Sequence, residues 1–215
     1  MFAQTLLDVQ ERFSAIEEHF RASRKLKGRP AQISRGLSFI QLYAVHEYTV
    51  KNVVSEAARS IVAHGHSFGD LRPSLLALFL NSELQALRDC GKDTVWENRL
   101  QLLERAFSDE VVSVVGDPAL PSDGSHFRSK QLQLIFRVFG INRLPARRRQ
   151  HMHRIDEVVH NRNRIAHGNE TPESVGQRYS RSDIRHRIKQ MKSVCIGLVV
   201  VLSQYCVDAE IHLRI

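Results

Sequence analysis

The chain of 215 residues carries a formal net charge of +8, with 42% hydrophobic and 25% charged residues. This composition is ordinary for a soluble globular protein, and the length suits one large domain or two small ones. The sequence has no run of 18 apolar residues, which excludes a transmembrane helix. Its three cysteines are too scattered for a disulfide framework or a zinc site.

The positive charge indicates an acidic partner, and RNA fits this description. A merely basic soluble protein is the alternative, and charge alone does not exclude it. The N-terminal residues, Met1 to Asp8, lack a basic region followed by an apolar core, so no secretory signal is expected. We therefore expect a cytoplasmic protein without membrane contact. The chain also lacks a GxxxxGK[ST] phosphate loop, which argues against nucleotide hydrolysis of that type, and no cofactor is expected.

The first predicted element is an amphipathic helix over residues 2–26. Its apolar stripe consists of Phe2, Leu6, Val9, Phe13, Ile16 and Phe20. The opposite face carries many acids, which disfavours a membrane surface. The helix is therefore interpreted as a packing or dimerisation element appended at residues 1–26.

A second long helix is predicted over residues 34–64. Its predicted buried residues are Leu37, Ile40, Val45, Tyr48, Val53, Ala57 and Ile61. Glu47 lies within this apolar run, where it either supports the site by holding an arginine of a later helix or points to solvent. His64 and His66 are interpreted as loop histidines after the helix end, because nothing near them in the sequence completes a metal-ligand set.

Three shorter helices are predicted in the middle of the chain, over residues 74–89, 94–107 and 127–139. The last of these directs Leu132, Ile135, Phe136 and Phe139 inward. Residues 109–115 are predicted to form a short strand or a loose extension. Residues 116–124, rich in glycine and proline, are predicted to form a loop.

The next predicted helix, residues 146–167, carries the main motif of the chain. Ile155, Val158 and Val159 define its apolar face by their helical spacing. Gly168 stands where a left-handed cap would end the helix, and Pro172 prevents continuation. The last turns of the helix, Arg162-Asn163-Arg164-Ile165-Ala166-His167, have the pattern R-N-x-x-x-H.

Three residues of this pattern suit cleavage of RNA without a metal. At about 100° per residue, Asn163 and His167 share one face, which Arg162 reaches only by curling around the helix. Arg162 supplies a permanent charge for phosphate, His167 supplies an imidazole that can give or take a proton, and Asn163 orients the imidazole or binds a phosphate oxygen. A two-fold dimer would supply a second proton-handling group by facing two copies of the motif.

Basic residues flank the motif on both sides, as attraction of phosphate requires. The residues predicted to bind the RNA backbone are Arg147, Arg148, Arg154 and Arg164. Arg164 lies on another face of the helix, where it binds either RNA or a neighbouring acid. The basic residues that follow the motif are Arg178, Arg181, Arg185, Arg187 and Lys189.

Histidines recur every seven residues on the motif helix, at His153, His160 and His167. One heptad rises about 10.5 Å, so neighbouring histidines cannot share one ion and no metal site is predicted. Residues 174–182 are polar and are expected to be mobile.

A closing helix is predicted over residues 183–210. Its core stripe consists of Ile184, Ile188, Met191, Val194, Leu198, Val201 and Tyr205. The predicted fold is therefore all-α, a single domain of about six to eight helices built on an antiparallel bundle.

The motif resembles the signature of the HEPN superfamily, in which R-N-x-x-x-H closes a helix of an all-α chain and a glycine follows. Its specificity lies in Asn163, in Ile165-Ala166 before His167, and in Gly168. The run from Leu42 to Val54, where an acid falls amid aromatics, also resembles the early helix of RiboL-PSP-type HEPN proteins of bacteria. The likeness covers roughly residues 35–210.

This resemblance implies a HEPN-type antiparallel bundle with additional helices over residues 1–215, forming a homodimer. It implies a metal-independent endoribonuclease, often a toxin or a phage-defence protein, with Arg162 and His167 as the catalytic pair and Asn163 in support. The alternatives are a HEPN module that binds RNA or a partner without cleavage, and a helical subunit of a toxin–antitoxin or defence complex. In the simplest alternative, Arg162 and His167 only solvate the helix end and interact with its dipole.

Overall fold

The computed structural model describes residues 2–113, 126–143, 149–208 and 212–213. Their helices are α1 (Phe2–Ala22), α2 (Gly28–Ala63), α3 (Pro73–Phe79), α4 (Asn81–Asp89), α5 (Val95–Ala106), α6 (Ser129–Val138), α7 (Arg149–Ala166), α8 (Pro172–Gln177) and α9 (Arg181–Tyr205). Within these residues the extended pairing is limited to isolated bridges, Ser67 with Val111 and Leu71 with Leu213. The prediction of an all-α fold is confirmed. In the same ranges, no helix has the length and apolar character that crossing a membrane requires.

The chain divides into two compact units. The first unit comprises residues 1–53, 122–133 and 144–201, and the second comprises residues 54–121, 134–143 and 202–215. The first unit holds α1, the first part of α2, α7, α8 and most of α9. The second holds α3, α4 and α5. The prediction of one domain over residues 1–215 stays a prediction.

Helix α1 packs within the first unit. Its buried apolar residues are Val9, Phe13, Ile16 and Phe20. On one flank, the Tyr48 hydroxyl of α2 donates to Asp8 Oδ2 at 2.6 Å. On the other, Lys192 of α9 lies 3.0 Å from Glu17. The apolar stripe read from the sequence therefore belongs to the core of this unit, and a role in dimerisation stays a prediction.

Helix α8 gives residues 174–177 a regular structure that the sequence did not predict, and the expected mobility of residues 174–182 stays a prediction. Thr171 caps the helix, since its Oγ1 accepts a hydrogen bond from the Ser174 N–H at 3.1 Å, and Pro172 supplies a preset first turn. Val175 and Gly176 are buried. The polar composition of the segment gives no helix signal, because a helix this short needs only one or two apolar residues to pack against the core.

Two glycines allow α8 to pack directly on α2. A Cβ at Gly36 would collide with the backbone of Pro172, and a Cβ at Gly176 would collide with the backbone oxygen of Gln32. The Arg35 Nε donates to the Gly176 carbonyl at 2.9 Å across the same contact. The glycine face of α2 is therefore the buried face here. Leu37, which was predicted to be buried, lies beside it and is 39% exposed, so that prediction is wrong.

Helix boundaries elsewhere differ most from prediction at three places. The helix predicted over 74–89 is two helices, because Leu80 leaves the helical region (φ −100°, ψ 24°) while its side chain enters the core. The closing helix ends at Tyr205, and Cys206 and Val207 form a turn, so the predicted extension toward residue 210 is wrong over 206–208. Helix α2 begins at Gly28, before the predicted start at residue 34. The predicted loop over residues 116–124 lies outside the described residues.

The second unit gathers three histidines around one another. His64 and His66 follow the end of α2, and the ring of His212 lies 5.4 Å and 6.0 Å from theirs. Tyr205 contacts His212 with ring centroids 4.9 Å apart. His212 is fully buried. Burial first, and then the neighbouring histidines, lower the pKa of His212 to about 4.

This cluster makes stability depend on pH. In the unfolded chain His212 takes up a proton near pH 6.5, whereas in the folded chain it does so near pH 4. Its neutral form therefore stabilises the fold fully above about pH 6.5, and this contribution is lost as the pH falls toward 4. We expect His212→Phe, which keeps the ring packing, to remove about 2 kcal/mol of the stability loss between pH 7 and pH 5.

Urea unfolding at the two pH values measures this difference. The exposed His153 provides the matched control, and His153→Gln should unfold with the pH dependence of the parent protein. An equally steep loss in His212→Phe would contradict the assignment.

Candidate functional site

Helix α7 positions the R-N-x-x-x-H motif. Its residues Ile155, Val158 and Val159 are fully buried, which fixes the rotation of the helix within the first unit. The helix ends as predicted: Gly168 has φ +71°, and its N–H bonds to the Ile165 carbonyl at 3.1 Å. The motif therefore occupies the last two turns of a helix that is anchored by its apolar face.

Arg162 is held by an aromatic face and by neutral acceptors. Its guanidinium carbon lies 4.4 Å from the centre of the Tyr43 ring, a cation–π distance. Its Nη1 donates to Asn163 Oδ1 at 3.0 Å. Among the described residues, no carboxylate forms a salt bridge with Arg162. The positive charge of this side chain is thus oriented without being neutralised.

His126 joins Arg162 at this point, although it lies outside the motif. Arg162 Nη1 is 3.3 Å from both ring nitrogens of His126. The Tyr43 hydroxyl is 3.1 Å from His126 Nδ1, and the two rings meet edge to face at 5.5 Å. Because a guanidinium can only donate hydrogen bonds, this contact favours the neutral imidazole.

Two further contacts fix the segment that carries His126. Asp156 on α7 accepts hydrogen bonds from the Ser129 N–H at 2.9 Å and the Ser129 hydroxyl at 2.6 Å, which anchors the start of α6. His46 Nε2 lies 2.8 Å from the Phe127 carbonyl. A carbonyl only accepts, so this nitrogen of His46 carries the proton. Burial lowers the pKa of His46, which agrees with a neutral ring.

The surroundings of His126 also lower its pKa. Partial burial is the main cause, followed by the charges of Arg162 and Arg128, and Glu47 acts in the opposite direction. His167 is close enough to lower the pKa of His126 as well. Burial raises the pKa of Tyr43, so its hydroxyl keeps its proton beside the imidazole. A neutral imidazole next to a fixed cation is an arrangement that can accept a proton near a phosphate.

His167 stands at the exposed end of α7. Its backbone N–H closes the last helical turn on the Asn163 carbonyl at 3.0 Å. Its imidazole forms no hydrogen bond with any residue that the structure describes. The structure therefore brings Asn163 and His126 into direct contact with Arg162, whereas the His167 ring makes no such contact and is open to solvent.

Sequence reasoning missed His126 and Tyr43. His126 is separated from Arg162 by 36 positions, and no local pattern marks it. Tyr43 lies in the aromatic run that resembles the early HEPN helix, but its contact with Arg162 depends on how α2 packs against α7. A histidine directly after a predicted loop was the available signal for His126, and it was too weak to use.

The other predicted site residues have partners of their own. Glu47 pairs with Lys51 on α2 at 2.9 Å. Arg164 pairs with Glu170 at 2.5 Å, which is the neighbouring acid that its position allowed. Arg154 pairs with Glu157 at 2.8 Å. Roles in RNA binding for Arg154 and Arg164 and a supporting role for Glu47 stay predictions. Arg147 and Arg148 lie outside the described residues.

The histidine stripe of α7 is exposed at all three positions, His153, His160 and His167. In the described part of the chain, no group of three or more histidine, cysteine, aspartate or glutamate side chains is placed to hold a metal ion.

Comparison with known proteins gives one finding. The family model described as RiboL-PSP-HEPN matches residues 7–204, a range that includes every contact of the site described above. No curated protein and no solved structure gives a significant match.

The contact between Arg162 and His126 has a measurable consequence. We expect Arg162→Met, which keeps most of the side-chain volume and removes the charge, to raise the pKa of His126. The reason is that a neighbouring cation disfavours protonation of the imidazole. Titration of the His126 ring protons by NMR measures the shift.

Arg164→Met is the matched control, since it removes a cation from the same helix that is already paired with Glu170. The pKa of His126 should stay at the parent value in that variant. An unchanged pKa in Arg162→Met would show that the contact is not formed in solution.

Proposed function

The chain belongs to the RiboL-PSP-HEPN family, and on that premise we propose that it is a metal-independent endoribonuclease. Membership of this family suggests an RNase or an RNA-binding module. The observation that carries the proposal is the set of contacts around the Arg162 guanidinium. This guanidinium is fixed and unneutralised, it touches a neutral imidazole, and a second imidazole lies nearby.

The proposed reaction needs a proton acceptor, a proton donor and a stabilising charge. The ribose 2′-hydroxyl attacks the adjacent phosphorus, so a new P–O2′ bond forms while the P–O5′ bond breaks. The base takes the proton of the 2′-hydroxyl, and the acid gives a proton to the leaving O5′. The products are a 2′,3′-cyclic phosphate and a 5′-hydroxyl. Charge on the phosphorane-like transition state is stabilised by the guanidinium of Arg162.

His126 is suited to the role of base. The factors that lower its pKa favour the unprotonated ring, and a phosphate held by Arg162 would lie beside it. His167, exposed at the end of α7, is assigned the role of acid. Asn163 orients Arg162 through the 3.0 Å hydrogen bond between their side chains. In this scheme the catalytic residues are Arg162, His126 and His167. Asn163 and Tyr43 position the guanidinium of Arg162.

We further propose that the enzyme is a homodimer whose two motifs face one groove. Its support is the solvent exposure of His167, whose ring has no hydrogen-bond partner among the described residues of its own chain. A second copy of α7 across a two-fold axis would enclose His167 and orient it. The proposed roles as a toxin or a phage-defence effector, with an antitoxin or defence partner, rest on the family resemblance alone.

The second candidate is a HEPN module that binds RNA or a protein partner without cleavage. The observation that favours it is the lack of an orienting contact for the His167 ring, since catalytic histidines are commonly oriented by a hydrogen bond. RNA binding would then use the charge of Arg162 without proton transfer by His167.

Cleavage of labelled RNA in EDTA separates the two candidates. We expect the parent protein to leave 2′,3′-cyclic phosphate ends. We expect His126→Ala, Arg162→Ala and His167→Ala each to lower the rate by about 10²-fold or more, because each removes a group that acts in the transition state.

His160→Ala is the control, since His160 is an exposed histidine one heptad before His167 on the same helix. It should cleave like the parent protein. Binding of RNA without cleavage by the parent protein would favour the second candidate, and full activity in His167→Ala would remove His167 from the mechanism.

A subunit-mixing experiment tests the composite site. Arg162→Ala and His167→Ala are inactive alone, but a mixed dimer retains one Arg162 and one His167 in a shared groove. We expect activity to return when the two variants exchange subunits. Absence of recovery, once exchange is demonstrated with differently tagged chains, would mean that each protomer carries an independent site.

A further inference from the structure

A cavity of about 570 Å³ lies in the first unit. No residue of the R-N-x-x-x-H motif lines it. It is formed by the last turns of α1, the turn that follows it and the first half of α9. Phe20 and Ile188, both buried, supply its apolar floor. Its volume is within the range of about 300–1,000 Å³ that small-molecule sites occupy.

The walls of this cavity are strongly basic. Its cationic residues are Arg21, Arg24, Arg181, Arg185 and Lys189. Its single acid, Glu17, pairs with Lys192 at 3.0 Å. The side chains of Arg21, Arg24, Arg185 and Lys189 are exposed and form no ion pair or hydrogen bond with the described residues. Five positive charges therefore line one cavity, and none of them forms an ion pair with a described carboxylate.

Arg181 is fixed at the base of this group. It donates to the Phe20 carbonyl and to Ser23 Oγ, the latter at 3.2 Å, and its guanidinium carbon lies 4.0 Å from the centre of the Phe20 ring. Burial, and then the charges of Arg185 and Arg24, lower the pKa of Arg181. The like charges thus repel one another across the cavity when no anion is present.

Helix stability does not explain this arrangement. Arg181, Arg185 and Lys189 recur every four residues along one face of α9, and like charges at this spacing destabilise a helix. Arg181 and Arg185 also lie in the first turns of α9, where the positive end of the helix dipole favours acids. By contrast, Arg187, on another face of the same helix, pairs with Glu157 at 3.0 Å. The residues of α9 that line the cavity include no acid.

We propose that this cavity binds a compact ligand that carries two or three adjacent phosphate groups, such as a nucleoside triphosphate or inorganic polyphosphate. The stripe from Arg181 to Lys189 spans about 12 Å along α9, enough for several phosphates side by side. Arg21 and Arg24 approach from the opposite wall, so the ligand charge is met from two sides. The proposal goes beyond RNA cleavage and does not depend on it.

Calorimetric titration of the full chain with inorganic tripolyphosphate and, separately, with ATP tests the proposal in magnesium-free buffer. We expect both to bind. The double variant Arg185→Ala with Lys189→Ala should weaken binding about ten-fold or more, because charged hydrogen bonds to phosphate are lost. Both residues are exposed, so this variant should keep its fold, and a circular dichroism melt verifies that it does.

The matched control removes two other exposed cations, Arg59 and Lys92, which do not line the cavity. Arg59→Ala with Lys92→Ala lowers the net charge equally and should bind both probes like the parent protein. Equal weakening in the two double variants would overturn the proposal, because it would show attraction by net charge only.

The two probes identify the source of the phosphates. Similar affinity for tripolyphosphate and ATP would support recognition of the phosphate chain alone, and tighter binding of ATP would support a nucleotide ligand. Binding of an RNA oligonucleotide that depends on Arg185 and Lys189, with neither small probe bound, would overturn the proposal and make the cavity part of an RNA path. Binding of none of the three would overturn it as well.

Discussion

The charge of Arg162 is held without an acid, and the arrangement of the candidate site depends on this. The face of Tyr43 lies under the guanidinium, and Asn163 and His126 contact its Nη1 as neutral groups. A carboxylate in their place would occupy the donors that phosphate needs. Tyr43 belongs to α2, Asn163 to α7 and His126 to the segment before α6. One unneutralised cation therefore brings three parts of the first unit into contact.

Several other arginines of the first unit differ from Arg162 in that they pair with a carboxylate. Two acids act as shared partners: Glu157 pairs with Arg154 and Arg187, and Glu170 pairs with Arg164 and Arg178. These pairs tie α7 to α9 and to the turn before α8, and each acid offsets one of the two positive charges that it contacts. Arg162 at the motif and the arginines around the cavity of α1 and α9 have no such partner among the described residues. Net charge alone is thus a poor guide to where an anion binds.

The fold could be predicted from the sequence to a large extent, because the apolar spacing of α1, α6, α7 and α9 is regular and each buried stripe follows from it. The cap at Gly168 was predictable for the same local reason. Tertiary contacts could not be predicted from local patterns. His126 contacts Arg162 across 36 positions, and Arg164 pairs with Glu170 only because the chain turns between α7 and α8. The break at Leu80 and the short helix α8 were missed because packing, and not local pattern, determines them.

The glycine contact between α2 and α8 has an evolutionary consequence. Gly36 and Gly176 admit no side chain, since each faces backbone atoms that cannot move aside. Arg162 and His167, in contrast, lie at a partly open surface, where other side chains fit. A lineage that does not use the proposed chemistry can therefore exchange the motif residues and still inherit the fold, whereas exchange of either glycine displaces α8. Homologues that retain both glycines but lack the motif would have the same fold and a different function.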